Sequence, residues 1–171
     1  MRGVILFFCF TNALVINSQK VDLNKIMNDS ILIGKITLSE LQTPPFSNWY
    51  VSRYENYNPD RNTTKFYEGR LDSINIRVFI GTWCRDTQRL VPKFFKILSI
   101  EKYPVDKIEI LALDRNKSTP NHIEKKYKIK KVPTIIFYKN GKELNRIVEY
   151  EIGSLEEDIL KIITHQKYVP Y

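Results

Sequence analysis

Phe79-Ile80-Gly81-Thr82-Trp83-Cys84-Arg85-Asp86-Thr87 is the stretch in which an apolar strand runs into a cysteine that opens a helix. Upstream, Ile76, Val78 and Ile80 alternate with Arg77 and Phe79 as in a mostly buried strand, and Gly81 ends the run. Downstream, Leu90, Val91, Phe94, Phe95 and Leu98 recur at helical spacing, so a helix starts at Arg85 and Cys84 falls in its first turn. Unpaired backbone N–H groups and the positive end of a helix dipole favour a thiolate over a thiol, and thiolates are the nucleophiles of disulfide exchange.

The chain around this stretch has 171 residues, 43% of them hydrophobic and 27% charged, which suits one domain with a full core and excludes disorder. Its formal net charge is +8, but the 27 basic and 19 acidic residues are interspersed. The densest basic cluster is Lys125, Lys126, Lys128, Lys130 and Lys131. With no aromatic stacking platform beside it, a solvated helix end whose cations complement the helix dipole explains this cluster better than a surface for nucleic acid or an anionic membrane.

Arg2 followed by Gly3-Val4-Ile5-Leu6-Phe7-Phe8-Cys9-Phe10 and Ala13-Leu14-Val15-Ile16 reads as a signal peptide over residues 1–18, with cleavage near Ser18. The apolar run is short for a membrane-spanning helix, and so unbroken a start fits a leader better than a buried strand. The expected location is periplasmic or secreted. Removal of the leader leaves Cys84 as the only thiol, with no structural disulfide.

After a short helix at residues 21–27, Ile31 to Ile36 reads as a strand and Ser39 as a helix cap. Pro44-Pro45 stops that helix. The aromatic stretch Phe46, Trp49, Tyr50, Tyr54 and Tyr57 reads either as a binding face or as the packing side of a helix. Asn62-Thr63-Thr64 caps a helix running through Leu71. Beyond the Cys84 helix come a strand from Lys107 to Leu113 and a helix from Thr119-Pro120 to about Tyr127. A strand follows over Ile135 to Tyr138, then a hairpin at Asn140-Gly141 with its return strand, and a last helix capped by Ser154.

This order, with Trp83-Cys84, Pro92 inside the helix, Val132-Pro133-Thr134 before a strand and the closing Asn140-Gly141 hairpin, resembles the thioredoxin superfamily. The resemblance covers about Ile76 to His165. It implies an α/β three-layer sandwich, a mixed central sheet flanked by helices, with an N-terminal extension over residues 19–75 and the thioredoxin-like domain over 76–171. Ile31 to Thr37 and Pro44-Pro45-Phe46 resemble the extension of a group of exported bacterial thioredoxin-like proteins. By the resemblance Cys84 is the nucleophile, with Trp83, Arg85, Asp86 and Thr87 in support. Val132, Pro133 and Thr134 form the platform for an extended substrate, Pro133 being the family's cis-proline, with Trp83 as its apolar wall.

Two departures shape the expected chemistry. The family's Cys-x-x-Cys stands here as Cys84-Arg85-Asp86-Thr87, and the buried acidic residue usual six positions before the cysteine is Val78. Arg85 and Arg89 favour a thiolate at Cys84, Asp86 opposes it, and Thr87, on the same helical face, can donate a hydrogen bond to the sulfur. A mixed disulfide at Cys84 cannot be resolved by Thr87, so release falls to a second substrate thiol or an external low-molecular-weight thiol. The partners expected are therefore protein thiols or disulfides. The alternative is a thioredoxin-fold module that binds peptides without chemistry. His122 and His165 are too far apart in sequence to suggest a metal site, and no cofactor is expected.

Overall fold

A computed structural model describes residues 30–171. The signal peptide expected over residues 1–18 and the helix expected over 21–27 lie outside the described residues. The central strand is β2 (Ile74–Ile80). Ile74, Ile76, Val78 and Ile80 join the main core on one face and Phe79 joins a smaller cluster on the other, so this strand is covered on both sides. β3 (Glu109–Ala112) runs parallel to it, with Val78 opposite Ile110. On its other side β4 (Thr134–Lys139) runs antiparallel, with Val78 opposite Ile135. β5 (Lys142–Val148) folds back along β4 through Asn140 and Gly141, whose φ values of 51° and 75° are the positive pair a two-residue hairpin needs. β1 (Gly34–Ile36) pairs antiparallel with β3 and completes a mixed sheet of order β1-β3-β2-β4-β5.

Helices cover both faces. The long helix, labelled α4 below from its place in the chain, buries Leu90, Val91, Phe94, Phe95 and Leu98 against one face, the stripe its spacing predicts. The final helix adds Leu155, Ile159, Ile162 and Ile163 to the same core and starts in a reciprocal capping box between Ser154 and Glu157. The opposite face holds Phe79, Leu111, Leu113, Ile129, Val132 and Ile136 under Trp83, Ile123 and Tyr127. In chain order the helices are α1 (Leu38–Leu41), α2 (Ser47–Glu55), α3 (Arg61–Thr64), α4 (Arg85–Ile100), α5 (Ile123–Lys126) and α6 (Leu155–Ile163).

Four local expectations need correction. The strand expected over Ile31 to Ile36 is confined to β1, because Gly34 has φ 92° and the Leu32 amide leaves the sheet to donate to Thr82 Oγ1 at 3.2 Å. Thr37, not Ser39, is the cap of α1, with the Glu40 carboxylate accepting from the Thr37 amide at 2.7 Å. Asp60 caps α3, accepting from the Asn62 amide and the Thr63 hydroxyl, and that helix gives way to a 3-10 turn at Lys65–Tyr67 rather than reaching Leu71. The helix expected from Thr119-Pro120 shrinks to the single turn of α5. There the buried Glu124 carboxylate takes the Thr119 amide at 3.0 Å and hydroxyl at 2.7 Å, and His122 sits at φ 49°. Burial pushes the Glu124 carboxyl up, but the hydrogen bonds from Thr119 and His122 outweigh it and hold its pKa at about 2.

The aromatic stretch before β2 is a packing side. Tyr50 is buried, Tyr54 stacks on it at 5.9 Å, and α2 lies along α4. Tyr57 donates to Glu156 Oε1 at 2.7 Å, the Asp60 amide donates to the same oxygen at 3.1 Å, and the Tyr67 hydroxyl donates to the Glu156 carbonyl at 2.6 Å. One buried glutamate at the start of α6 thus ties down the segment that leads into β2.

Candidate functional site around Cys84

Cys84 stands where β2 becomes α4. After Ile80 the chain turns through Gly81-Thr82-Trp83, closed by the Cys84 amide donating to the Gly81 carbonyl at 2.8 Å. Cys84 is the N-cap of α4, with φ −86° and ψ 128°, and its carbonyl accepts the Gln88 amide at 3.0 Å. Three further bonds hold the turn. The Gln88 side-chain amide donates to the Thr82 carbonyl at 2.9 Å, the Trp83 indole donates to the Leu113 carbonyl at 3.0 Å, and the Leu32 amide braces the Thr82 hydroxyl. The indole packs close against Gly81, where an added Cβ would sit 2.7 Å from Trp83 Cε2. Gly81→Ala is therefore expected to displace Trp83 from Leu113 and to destabilise the fold by about 1–3 kcal/mol through overpacking. Indole fluorescence in a Trp49→Phe background, followed through urea unfolding, reads both effects.

Cys84 is half-buried, and its thiol donates to the Val132 carbonyl at 3.2 Å. The Val132-Pro133 peptide bond is cis, as the resemblance implied; so is Pro44-Pro45, which sequence reading left unremarked. The loop is clamped on both sides of Pro133. Thr134 Oγ1 donates to the Lys131 carbonyl at 2.7 Å, and the Pro133 carbonyl accepts the Glu149 amide at 2.8 Å. Trp83, Cys84, Val132 and Pro133, far apart in sequence, thus meet at one end of the sheet.

The charges around the sulfur are arranged differently from expectation. Thr87 does not donate to the sulfur: it is fully buried and its hydroxyl oxygen accepts the Gly81 amide at 3.2 Å. Arg89 is bound to Glu151, 2.8 and 2.7 Å from its two carboxylate oxygens, and Lys93 lies 3.7 Å from the same group. Burial raises the Glu151 carboxyl, and the Arg89 hydrogen bond then outweighs burial and holds it below the usual carboxylate range. Arg85 is exposed and Asp86 half-buried. The Tyr150 phenol is pushed up to about 12, by burial first, then by Tyr171, with the charges of Glu149 and Asp86 adding to the rise.

Sequence reading missed Gln88, Tyr150, Glu151 and Tyr171 as neighbours of the site. Gln88 reaches it within its own turn of chain, through Thr82, whereas Tyr150, Glu151 and Tyr171 reach it only through the tertiary fold. Among the described residues no group of three or more His, Cys, Asp or Glu side chains is gathered to hold a metal.

The family model described as Thioredoxin matches residues 63–165. The chloroplastic thioredoxin Y of rice, Oryza sativa subsp. japonica, is 35% identical over 68 residues, 40% of this chain and 38% of that protein. The chain thus spans well under half the length of that relative. Among solved structures, the thioredoxin of Fasciola hepatica is 21% identical, with 60% of this chain and 89% of that one covered and a TM-score of 0.39. The Schistosoma mansoni thioredoxin pre-protein is 28% identical, covering 61% and 90% with a TM-score of 0.37. With more than half of its residues matched by the family model, and Cys84 and Pro133 both inside the matched span, the chain belongs to the thioredoxin family.

Proposed function

We propose that the protein performs monothiol disulfide exchange on protein thiols, with Cys84 as nucleophile, in an exported setting, periplasmic or secreted. The observation that carries the reading is the half-buried Cys84 at the cap of α4, its sulfur 3.2 Å from the Val132 carbonyl on the loop that precedes β4. The Cys84 sulfur, as thiolate, attacks one sulfur of a partner disulfide. A new bond forms to Cys84, the partner's bond breaks, and the departing thiolate takes up a proton. For this the thiol must give up the Val132 carbonyl, which an extended partner occupies with a backbone N–H of its own.

No sulfur stands at position 87, so the mixed disulfide is discharged by a second thiol of the same partner, in the manner of an isomerase, or by a small external thiol. The leader read in residues 1–18 supports the exported setting. A second reading, a peptide-binding module without chemistry, draws on the same thiol-to-carbonyl bond, which engages the sulfur within the fold.

The test is incubation with a peptide disulfide followed by intact-mass analysis, with alkylation rate measured against pH. A Cys84 adduct that a second thiol discharges is the expected result. Failure to form any adduct removes the exchange reading and leaves the binding module.

A further inference from the structure

Beyond α6 the chain turns at His165, where φ is 59°, and runs beside β5. It is held there at two successive points. The Asn145 side-chain amide donates to the Tyr168 carbonyl at 2.8 Å, while the Tyr168 hydroxyl reaches the buried Asp158 carboxylate at 3.3 Å. Farther along, the Tyr171 ring packs on the Tyr150 ring with centroids 4.3 Å apart and planes inclined by 45°. Tyr168 is the anchor; Tyr171 is what the anchor delivers.

The place of delivery is the edge of the Cys84 site. The Lys131 ammonium lies 4.9 Å from the Tyr171 ring centroid, and Lys131 precedes Val132, whose carbonyl takes the Cys84 thiol. On the other side Tyr150 follows Glu149, whose amide holds the Pro133 carbonyl. Two of the ion pairs nearby engage charges at this edge, while Arg85 and Asp86 flank the sulfur itself. Lys131 Nζ is 2.7 Å from Glu149 Oε2, and Arg89 is bound to Glu151. Beside these charges the two tyrosines offer aromatic surface to a partner, and Tyr171 keeps 65% of its surface exposed although packed on Tyr150.

We infer that Tyr150 and Tyr171 form a specificity-determining rim on which the disulfide partner rests an aromatic side chain adjacent to its reacting cysteine. This rests on the exchange reading above. Tyr150 and Tyr171 touch no reacting atom; they act on which polypeptide settles against Val132 long enough to react. Aromatic pairs at a partly exposed site change a rate ratio by about threefold to tenfold.

The experiment uses the full chain and three disulfides: a peptide with Phe next to its disulfide-bonded cysteine, the same peptide with Ser there, and a small aliphatic disulfide. Adduct formation at Cys84 is timed by mass for the wild type, Tyr150→Ala, Tyr171→Ala and Tyr171→Phe. The wild type and Tyr171→Phe are expected to favour the Phe peptide by about threefold to tenfold. Tyr150→Ala and Tyr171→Ala should lose most of that preference while reacting with the small disulfide at the wild-type rate. Equal rates for the two peptides in the wild type, or a preference untouched by either alanine, overturn the rim. So does an alanine variant that slows all three disulfides together, because the tyrosines would then be acting on the sulfur. No adduct with any of the three in the wild type has a different signature and removes the exchange reading itself.

Discussion

Cys84→Ser is expected to abolish adduct formation with peptide disulfides completely while leaving the fold as stable as before, within about 1 kcal/mol. Cys84 is half-buried and its thiol makes one hydrogen bond, to the Val132 carbonyl, which a serine hydroxyl can also make. Cys84 caps α4 without any side-chain bond to the helix, and serine is among the favoured residues at that position. Any change in stability should therefore be upward. Intact mass after incubation with a peptide disulfide, together with a thermal unfolding curve, measures both quantities. The sequence has two cysteines, so an adduct that persists in this variant would have to sit on Cys9, and would move the chemistry to a residue that the proposal assigns to the leader. A variant that loses both adduct and fold would mean that the sulfur is a packing element.

The sheet and the position of the thiol were legible because their signals are local and periodic. Ile76, Val78 and Ile80 announce a strand, the spacing from Leu90 to Leu98 announces a helix, and the boundary between the two periods falls on Cys84. Asn140-Gly141 is equally direct, since both residues must take positive φ and these two do so at little cost.

What failed were the inferences that turned on a competing partner brought in by the tertiary fold. Thr87 is on the same helical face as Cys84, yet its hydroxyl oxygen is taken up by the Gly81 amide. Arg89 is near the thiol in sequence, but its charge is spent on Glu151, from the loop after β5. Thr119-Pro120 has the composition of a helix start, but Glu124 captures the Thr119 amide and hydroxyl and delays the helix to Ile123. Spacing fixes which residues can meet within one helix; it carries no information on a competitor brought in by the tertiary fold.

That distinction makes Thr87→Cys the more searching experiment. Position 87 is fully buried, and its oxygen is the acceptor for the buried Gly81 amide. Sulfur is a weak acceptor, so the reduced variant is expected to lose about 1–3 kcal/mol for an amide left poorly satisfied. Against this, residues three apart on a helix bring their Cβ atoms to about 5–6 Å, close enough for a small shift at the helix cap to close a disulfide. An adduct at Cys84 would then be attacked by the Cys introduced at position 87. The chain gains an internal disulfide, the partner's disulfide is reduced to two thiols, and the adduct becomes short-lived because an adjacent thiol acts at a very high effective concentration. Mass analysis over time should show the adduct peak decaying into free chain lighter by two hydrogens. If instead the adduct persists as proposed for threonine, the side chain at position 87 stays turned towards Gly81, and the identity of that residue alone does not account for the proposed single-thiol exchange.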